Sequence, residues 1–173
     1  MSRSHIKTKS LFWQIKNRWE QFDFATDLLK KVADGMADSF IVFAPVKSGK
    51  KDIVIKCLLI TNDKKPNIVK SYFITAYHRK ANEEQYAELE SYNISVHPIK
   101  DKKCLKKAIK QLKEDIGNYE EIHVHIDELD YGSNKKMLLA RIHDEIKGSP
   151  KIKRFYYSAT PQEMMPQNLV SVP

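Results

Sequence analysis

Five short apolar runs, at 40–44, 71–75, 95–99, 122–126 and 154–158, are each bounded by residues that break regular structure. Between and before them lie segments of helical period at 25–37, 51–60, 82–91, 102–116 and 134–146. The runs are rich in β-branched and aromatic residues and lack a clean alternation, as expected of strands covered on both faces. Strand-length and helix-length segments in alternation predict a three-layer α/β domain, with a mostly parallel central sheet flanked by helices. Leu105, Ile109, Leu112 and Ile116 fall at spacings of four, three and four, which makes one apolar stripe, and lysines fill the other face. That lysine run reads first as a solvated helix face and only second as a phosphate-binding surface.

Length changes this picture little: 173 residues with 42% hydrophobic content suffice for one ordinary core. Charge changes it more. Thirty Lys and Arg stand against 22 Asp and Glu, and a net charge of +8 attracts polyanions such as nucleic acid, although solubility alone would explain it as well. Cys57 and Cys104 are far apart and form no CxxC pair, which argues against a disulfide framework or a thiolate zinc site. The basic residues 1–19 lack the apolar core of a secretory signal, and no stretch approaches the ~20 apolar residues of a membrane span. The expectation is an intracellular protein, cytoplasmic or nuclear, with no membrane partner.

Three motifs carry candidate chemistry. The segment Ala44-Pro45-Val46-Lys47-Ser48-Gly49-Lys50-Lys51 lies between a predicted strand and a predicted helix. There loop amides and the positive end of the helix meet an anion, and a lysine reaches the outer phosphates. The competing reading is a lysine-rich turn. The second motif, Ile126-Asp127-Glu128-Leu129-Asp130, ends a predicted strand. Ligands of open α/β sheets bind outside the carboxyl ends of strands, where one acid can hold Mg²⁺ and its neighbour can serve the attacking water. An acidic turn capping the next helix is the alternative. The third, Ser158-Ala159-Thr160 before Pro161, gains meaning only from its place after the acidic motif.

In this order and spacing the three motifs resemble motifs I, II and III of superfamily two helicases, across roughly residues 19–161. The resemblance implies a RecA-like nucleotide-binding domain at 21–161, preceded by an extension at 1–20 and followed by a tail at 162–173. That tail is expected to be a loop or a connection to a second RecA-like domain, supplied in cis or in trans. Lys50, with Lys47, Ser48, Gly49 and Lys51, would bind ATP. Asp127 would hold Mg²⁺, Glu128 would serve the water, and Ser158 with Thr160 would couple the site to nucleic acid. Gln21 resembles the glutamine that reads adenine, and Thr75, Tyr77, His78 and Arg79 occupy the place of motif Ia, against a sugar-phosphate backbone. DNA is favoured over RNA, since the acidic motif and residues 75–80 do not match the fuller signatures of DEAD-box proteins.

The sequence departs from the family pattern at two positions: Ala44 replaces the first glycine, and Lys51 stands where Ser or Thr would ligate the metal. A phosphate loop without that hydroxyl implies weak or metal-independent nucleotide binding. An arginine from the second half completes the family's site and contributes roughly 10³ to 10⁵ in rate, so this chain alone is expected to turn over ATP very slowly. Two other readings remain open. One is a catalytically inactive helicase-like domain that binds nucleic acid or acts as a scaffold. The other is a metal-dependent hydrolase on His123, His125 and Asp127, which strand alternation places on one face.

Overall fold

The computed structural model describes residues 19–35, 38–43, 50–75, 82–127, 141–142, 144–146, 148–158 and 170–172. Helix α1 (Trp19–Ala33) precedes β1 (Ser39–Phe43), and α2 (Lys50–Lys64) leads to β2 (Val69–Thr75). Next come α3 (Glu83–Ser91), β3 (Ser95–Pro98), α4 (Lys102–Ile116) and β4 (Glu121–Asp127). The strands β5 (Ile152–Ser158) and β6 (Val170–Val172) complete the order, with helical residues at 141–142 and 144–146 ahead of β5. The sheet runs β3-β2-β4-β5-β1-β6, and every pairing is parallel. This is the three-layer α/β architecture that the alternation of elements predicts.

Each face of the sheet is covered, which is why its strands read as apolar runs rather than as alternating ones. On one face Phe40, Val42, Phe73, Phe155 and Tyr157 pack with residues of α1, α2 and α3. On the other, Tyr72, Ile74, Ile122, Val124, Ile126 and Tyr156 pack with α4 and with Ile142 and Ile146. Full burial of one such aliphatic side chain contributes about 1.5–3 kcal/mol, so the two layers together account for the fold. Hydrogen bonds fix α4 on its layer. Tyr72 donates to the Asp115 carboxylate, and the Gln111 amide bridges His97 (2.9 Å) and Ser95 (2.8 Å). Asp101 caps its amino end by accepting from the Cys104 amide at 2.9 Å.

The expected elements recur with shifted ends. α1 begins at Trp19 rather than at residue 25 and stops at Ala33, because Gly35 at φ +70° turns the chain through the left-handed region that glycine tolerates. Residues 170–172, expected in a loop, instead extend the sheet as β6 alongside β1. The sheet is parallel in all its pairings rather than mostly so. Helix 134–146 is described only in its last part, and residues 134–140 lie outside the described residues.

Candidate functional site

All six strands run parallel, so all their carboxyl ends lie along one edge of the sheet. The strand order brings the three motif-bearing strands, β1, β5 and β4, next to one another, although β2 and β3 separate β1 from β4 in sequence. Register aligns their ends. Phe43, the last residue before segment 44–49, pairs with Ser158, while Tyr156 pairs with Ile126, which sets Asp127 level with Tyr157. Thr75 pairs directly with Asp127 on the far side. The ends of β2, β4, β5 and β1 therefore fall within about 14 Å, at three strand spacings. Lys50 opens the 15-residue helix α2, seven residues after Phe43.

A crevice belongs at this edge for a topological reason. After β2 the chain passes outward to the edge strand β3, and after β4 it passes inward to β5. The intervening helices lie on opposite faces, since Tyr86 and Leu89 of α3 join one core layer and Ile142 and Ile146 the other. Neighbouring strands whose connections leave in opposite directions open the crevice in which α/β proteins bind ligands. Thr75 and Asp127 end those two strands, with exposures of 2% and 5%.

Lys51 does not project freely from the first turn of α2. Its ammonium donates to Asn82 Oδ1 at 2.5 Å and sits 5.9 Å from the centre of the Tyr86 ring. Asn82 occupies the position before α3, where an Asn side chain commonly caps the helix, yet it makes no capping hydrogen bond. The Asn82 carbonyl oxygen is given to Lys51 instead, which ties the start of α2 to the start of α3.

Beneath Asp127 lies a buried polar cluster. The Tyr157 hydroxyl meets His125 Nδ1 at 2.7 Å and is also hydrogen-bonded to the Cys57 thiol, so β4, β5 and α2 are joined through one phenol. The His125 ring stacks on Phe155 at 4.2 Å between centroids and 5° between planes. Burial holds all three groups uncharged. It pushes the Cys57 thiol up to about 12, lifts the Tyr157 phenol well above its ordinary value, and lowers the His125 imidazole well below the usual histidine range. The nearby Asp127 carboxylate further disfavours a Tyr157 phenolate, and His123 further disfavours a second imidazolium at His125. Removing the shared hydroxyl with Tyr157→Phe leaves His125 and Cys57 without it, and urea denaturation is expected to show a loss of about 1–2 kcal/mol. A variant as stable as the parent would show that these hydrogen bonds contribute nothing.

The same region bears on the metal-hydrolase expectation. Alternation does place His123, His125 and Asp127 on one side of β4, and one nitrogen of each imidazole is engaged within the fold. His123 Nε2 meets Glu121 Oε1 at 2.7 Å, and His125 is fully buried between Phe155 and Tyr157. Among the described residues no three His, Cys, Asp or Glu side chains are grouped so as to hold a metal ion.

Of the other expected site residues, Gln21 lies within α1. Lys47, Ser48, Gly49, Tyr77, His78, Arg79, Glu128 and Thr160 lie outside the described residues. Neither the Lys51–Asn82–Tyr86 contact nor the Tyr157–His125–Cys57 cluster was anticipated, because each joins residues far apart in sequence. Among these residues, His125 carried a signal through its alternation with Asp127, and Lys51 through its departure from the family pattern. No helix among the described residues is long and apolar enough to cross a membrane.

No protein-family model matches this sequence, and neither does any curated protein. Two solved structures of the ORC2 protein of Aeropyrum pernix align with it, one of ADPNP-ADP complexes and one of the ADP form. Each covers 81% of this chain at a TM-score of 0.39, with 17% and 18% identity respectively. The chain spans 40% of the length of those structures.

Proposed function

We propose that this chain is the ATP-binding first half of a superfamily two helicase or translocase, which couples ATP hydrolysis to movement on or remodelling of nucleic acid. The observation that carries the proposal is the adjacency of β1, β5 and β4, with Phe43 paired with Ser158 and Asp127 one strand beyond, level with Tyr157. Motifs whose strand ends Phe43, Asp127 and Ser158 lie 84 and 31 residues apart in sequence would, if they were accidental, have no reason to end on three neighbouring strands at one edge.

On this reading, loop 44–49 and the amino end of α2 receive the triphosphate, with Lys47, Ser48, Gly49 and Lys50 as its contacts. The carboxylate oxygens of Asp127 suit a hard divalent cation such as Mg²⁺. ATP, when bound, supplies the phosphoanhydride that is hydrolysed. Glu128 orients the water, Ser158 and Thr160 transmit the state of the site, and Gln21 reads the base. Thr75, Tyr77, His78 and Arg79 face the nucleic-acid backbone, DNA in preference to RNA. A second RecA-like domain, in cis or in trans, completes the site, so hydrolysis by this chain alone is very slow.

Isothermal titration with ATP and Mg²⁺ tests the reading. Lys50→Ala is expected to abolish binding while the unfolding midpoint shifts by no more than a surface substitution does, about 0.5 kcal/mol. Unchanged ATP affinity in that variant would remove the phosphate-loop assignment.

One observation favours a second reading, a helicase-like domain that binds nucleic acid without hydrolysis. The position of the metal-ligating hydroxyl is held by Lys51, and that lysine is engaged by Asn82 and Tyr86. Strong Mg²⁺ dependence of ATP binding by the unmodified chain would count against this second reading.

A further inference from the structure

Helix α4 exposes Lys102, Lys103, Lys106, Lys107, Lys110 and Lys113, while Leu105, Ala108 and Leu112 on its opposite side are buried against the sheet. Six lysines against Glu114 and Asp115 leave the helix a surplus of four positive charges, half of the chain's net +8. Lys113 pairs with Glu145 at 3.6 Å. Among the described residues, the other five have no ion pair or side-chain hydrogen bond. Lys103, Lys106, Lys110 and Lys113 follow at steps of three, four and three residues, about 4.5–6 Å along the helix axis. The row begins beside the carboxyl end of β3, at the edge where Thr75 and Asp127 lie, and runs down the flank of the domain.

We propose that this face of α4 is a nucleic-acid backbone contact, separate from the loops at the sheet edge, which receives a strand as it leaves the crevice. Three features select this partner. The surface offers regularly spaced cations to a regularly spaced polyanion. It offers no exposed aromatic or aliphatic anchor of the kind that dominates protein–protein interfaces, since the apolar stripe is spent on the core. For the same reason the helix has no apolar face left to enter a lipid surface. The bonds from Tyr72 to Asp115 and from Gln111 to His97 and Ser95 hold the helix in place, so the lysine row is a fixed feature of the domain. Glu114 and Glu145, which line a groove beside Lys106, Lys110 and Lys113, set the far limit of the contact. The proposal shares with the helicase reading only the class of partner, and it requires no bound nucleotide.

The test uses the full chain and a fluorescein-labelled 20-nucleotide oligo(dT), with fluorescence anisotropy recorded between 50 and 200 mM salt and no nucleotide present. Lys103→Gln, Lys106→Gln and Lys110→Gln combined remove three charges from α4. Lys30→Gln, Lys64→Gln and Lys65→Gln combined remove three from exposed positions around the amino end of β4. The α4 triple is expected to weaken binding at least about tenfold and to reduce the slope of log affinity against log salt by about 2, while the control triple leaves both nearly unchanged. Equal weakening in the two triples would show that only net charge matters, and would overturn the proposal. Undiminished binding by the α4 triple, or no oligonucleotide binding by the parent chain, would overturn it as well. So would binding to phosphatidylserine vesicles that is lost in the α4 triple while oligonucleotide binding persists. Lys50→Ala separates this proposal from the nucleotide reading: it should leave oligonucleotide binding intact, and failure of ATP binding alone would remove only that reading.

Discussion

Between pH 6.5 and 5 the domain is expected to lose stability at up to about 2.7 kcal/mol per pH unit, the slope for two histidines kept neutral in the fold. His125 is fully buried, and burial first, then the neighbouring His123, depresses its affinity for a proton. His97 is 8% exposed and stacked on Tyr72; burial lowers its pKa, Lys107 and Lys70 lower it further, and Gln111 and Asp115 act in the opposite direction. In the unfolded chain both rings take up a proton near the ordinary value of 6.5. The folded chain resists protonation, so acid favours unfolding and stability rises with pH through this window. Above about pH 7 the histidine contribution is fully present and flat. Glu121, whose carboxyl is held low by its bond to His123, adds a loss only below its ordinary range near 4.5, outside the window. Urea midpoints measured from pH 8 to 5 give the slope. His125→Phe should remove one proton's share, about 1.4 kcal/mol per unit, besides a constant loss from the missing bond to Tyr157. An unchanged slope in that variant would show that His125 is not the group excluded from protonation.

What the sequence disclosed follows the physics of each element. The strand ending at Asp127 was legible because a strand buried on both faces must be an apolar run, and Ile122, Val124 and Ile126 supply one. α4 was placed at 102–116 because its stripe of Leu105, Ile109, Leu112 and Ile116 is a local signal. β2 begins two residues earlier than the run at 71–75 shows. Lys70 lies inside that strand, where its ammonium is satisfied by the Asn93 carbonyl (2.6 Å) and Asn93 Oδ1 (2.9 Å), with Asn93 itself at φ +65°. A lysine reads as an end to a strand until a partner 23 residues away is known. The three residues of β6 escaped notice because so short a strand carries too little periodicity to outweigh the prolines around it. The motifs were legible as residue types in order, but their convergence depended on the crossing of β5 between β1 and β4, which no local pattern encodes.

Lys51→Thr is expected to reverse the metal dependence of nucleotide binding while lowering stability. In the parent chain the position next to Lys50 carries a cation fixed by Asn82 and Tyr86, so it contributes no oxygen to a metal. Affinity for ATP should then come from loop amides and lysine charge, depend little on Mg²⁺ and fall as salt rises. Threonine removes one positive charge near the phosphates and restores a hydroxyl, so ATP binding in a chelator should weaken while Mg²⁺ should strengthen it at least about tenfold, or ~1.4 kcal/mol. The same change breaks the tie between α2 and α3. A charge-assisted hydrogen bond at a partly exposed site and a cation–π contact together are expected to cost about 1–2 kcal/mol, visible as a lower urea midpoint. The two readouts separate two roles: a lysine that only positions α3 would lower the midpoint and leave metal dependence as it was. Titrations of ATP and ADP into both proteins, with Mg²⁺ and with chelator at two salt concentrations, decide between them. Strong Mg²⁺ dependence in the parent chain would mean that Asp127 and water already suffice for the metal, and that Lys51 does not weaken the site.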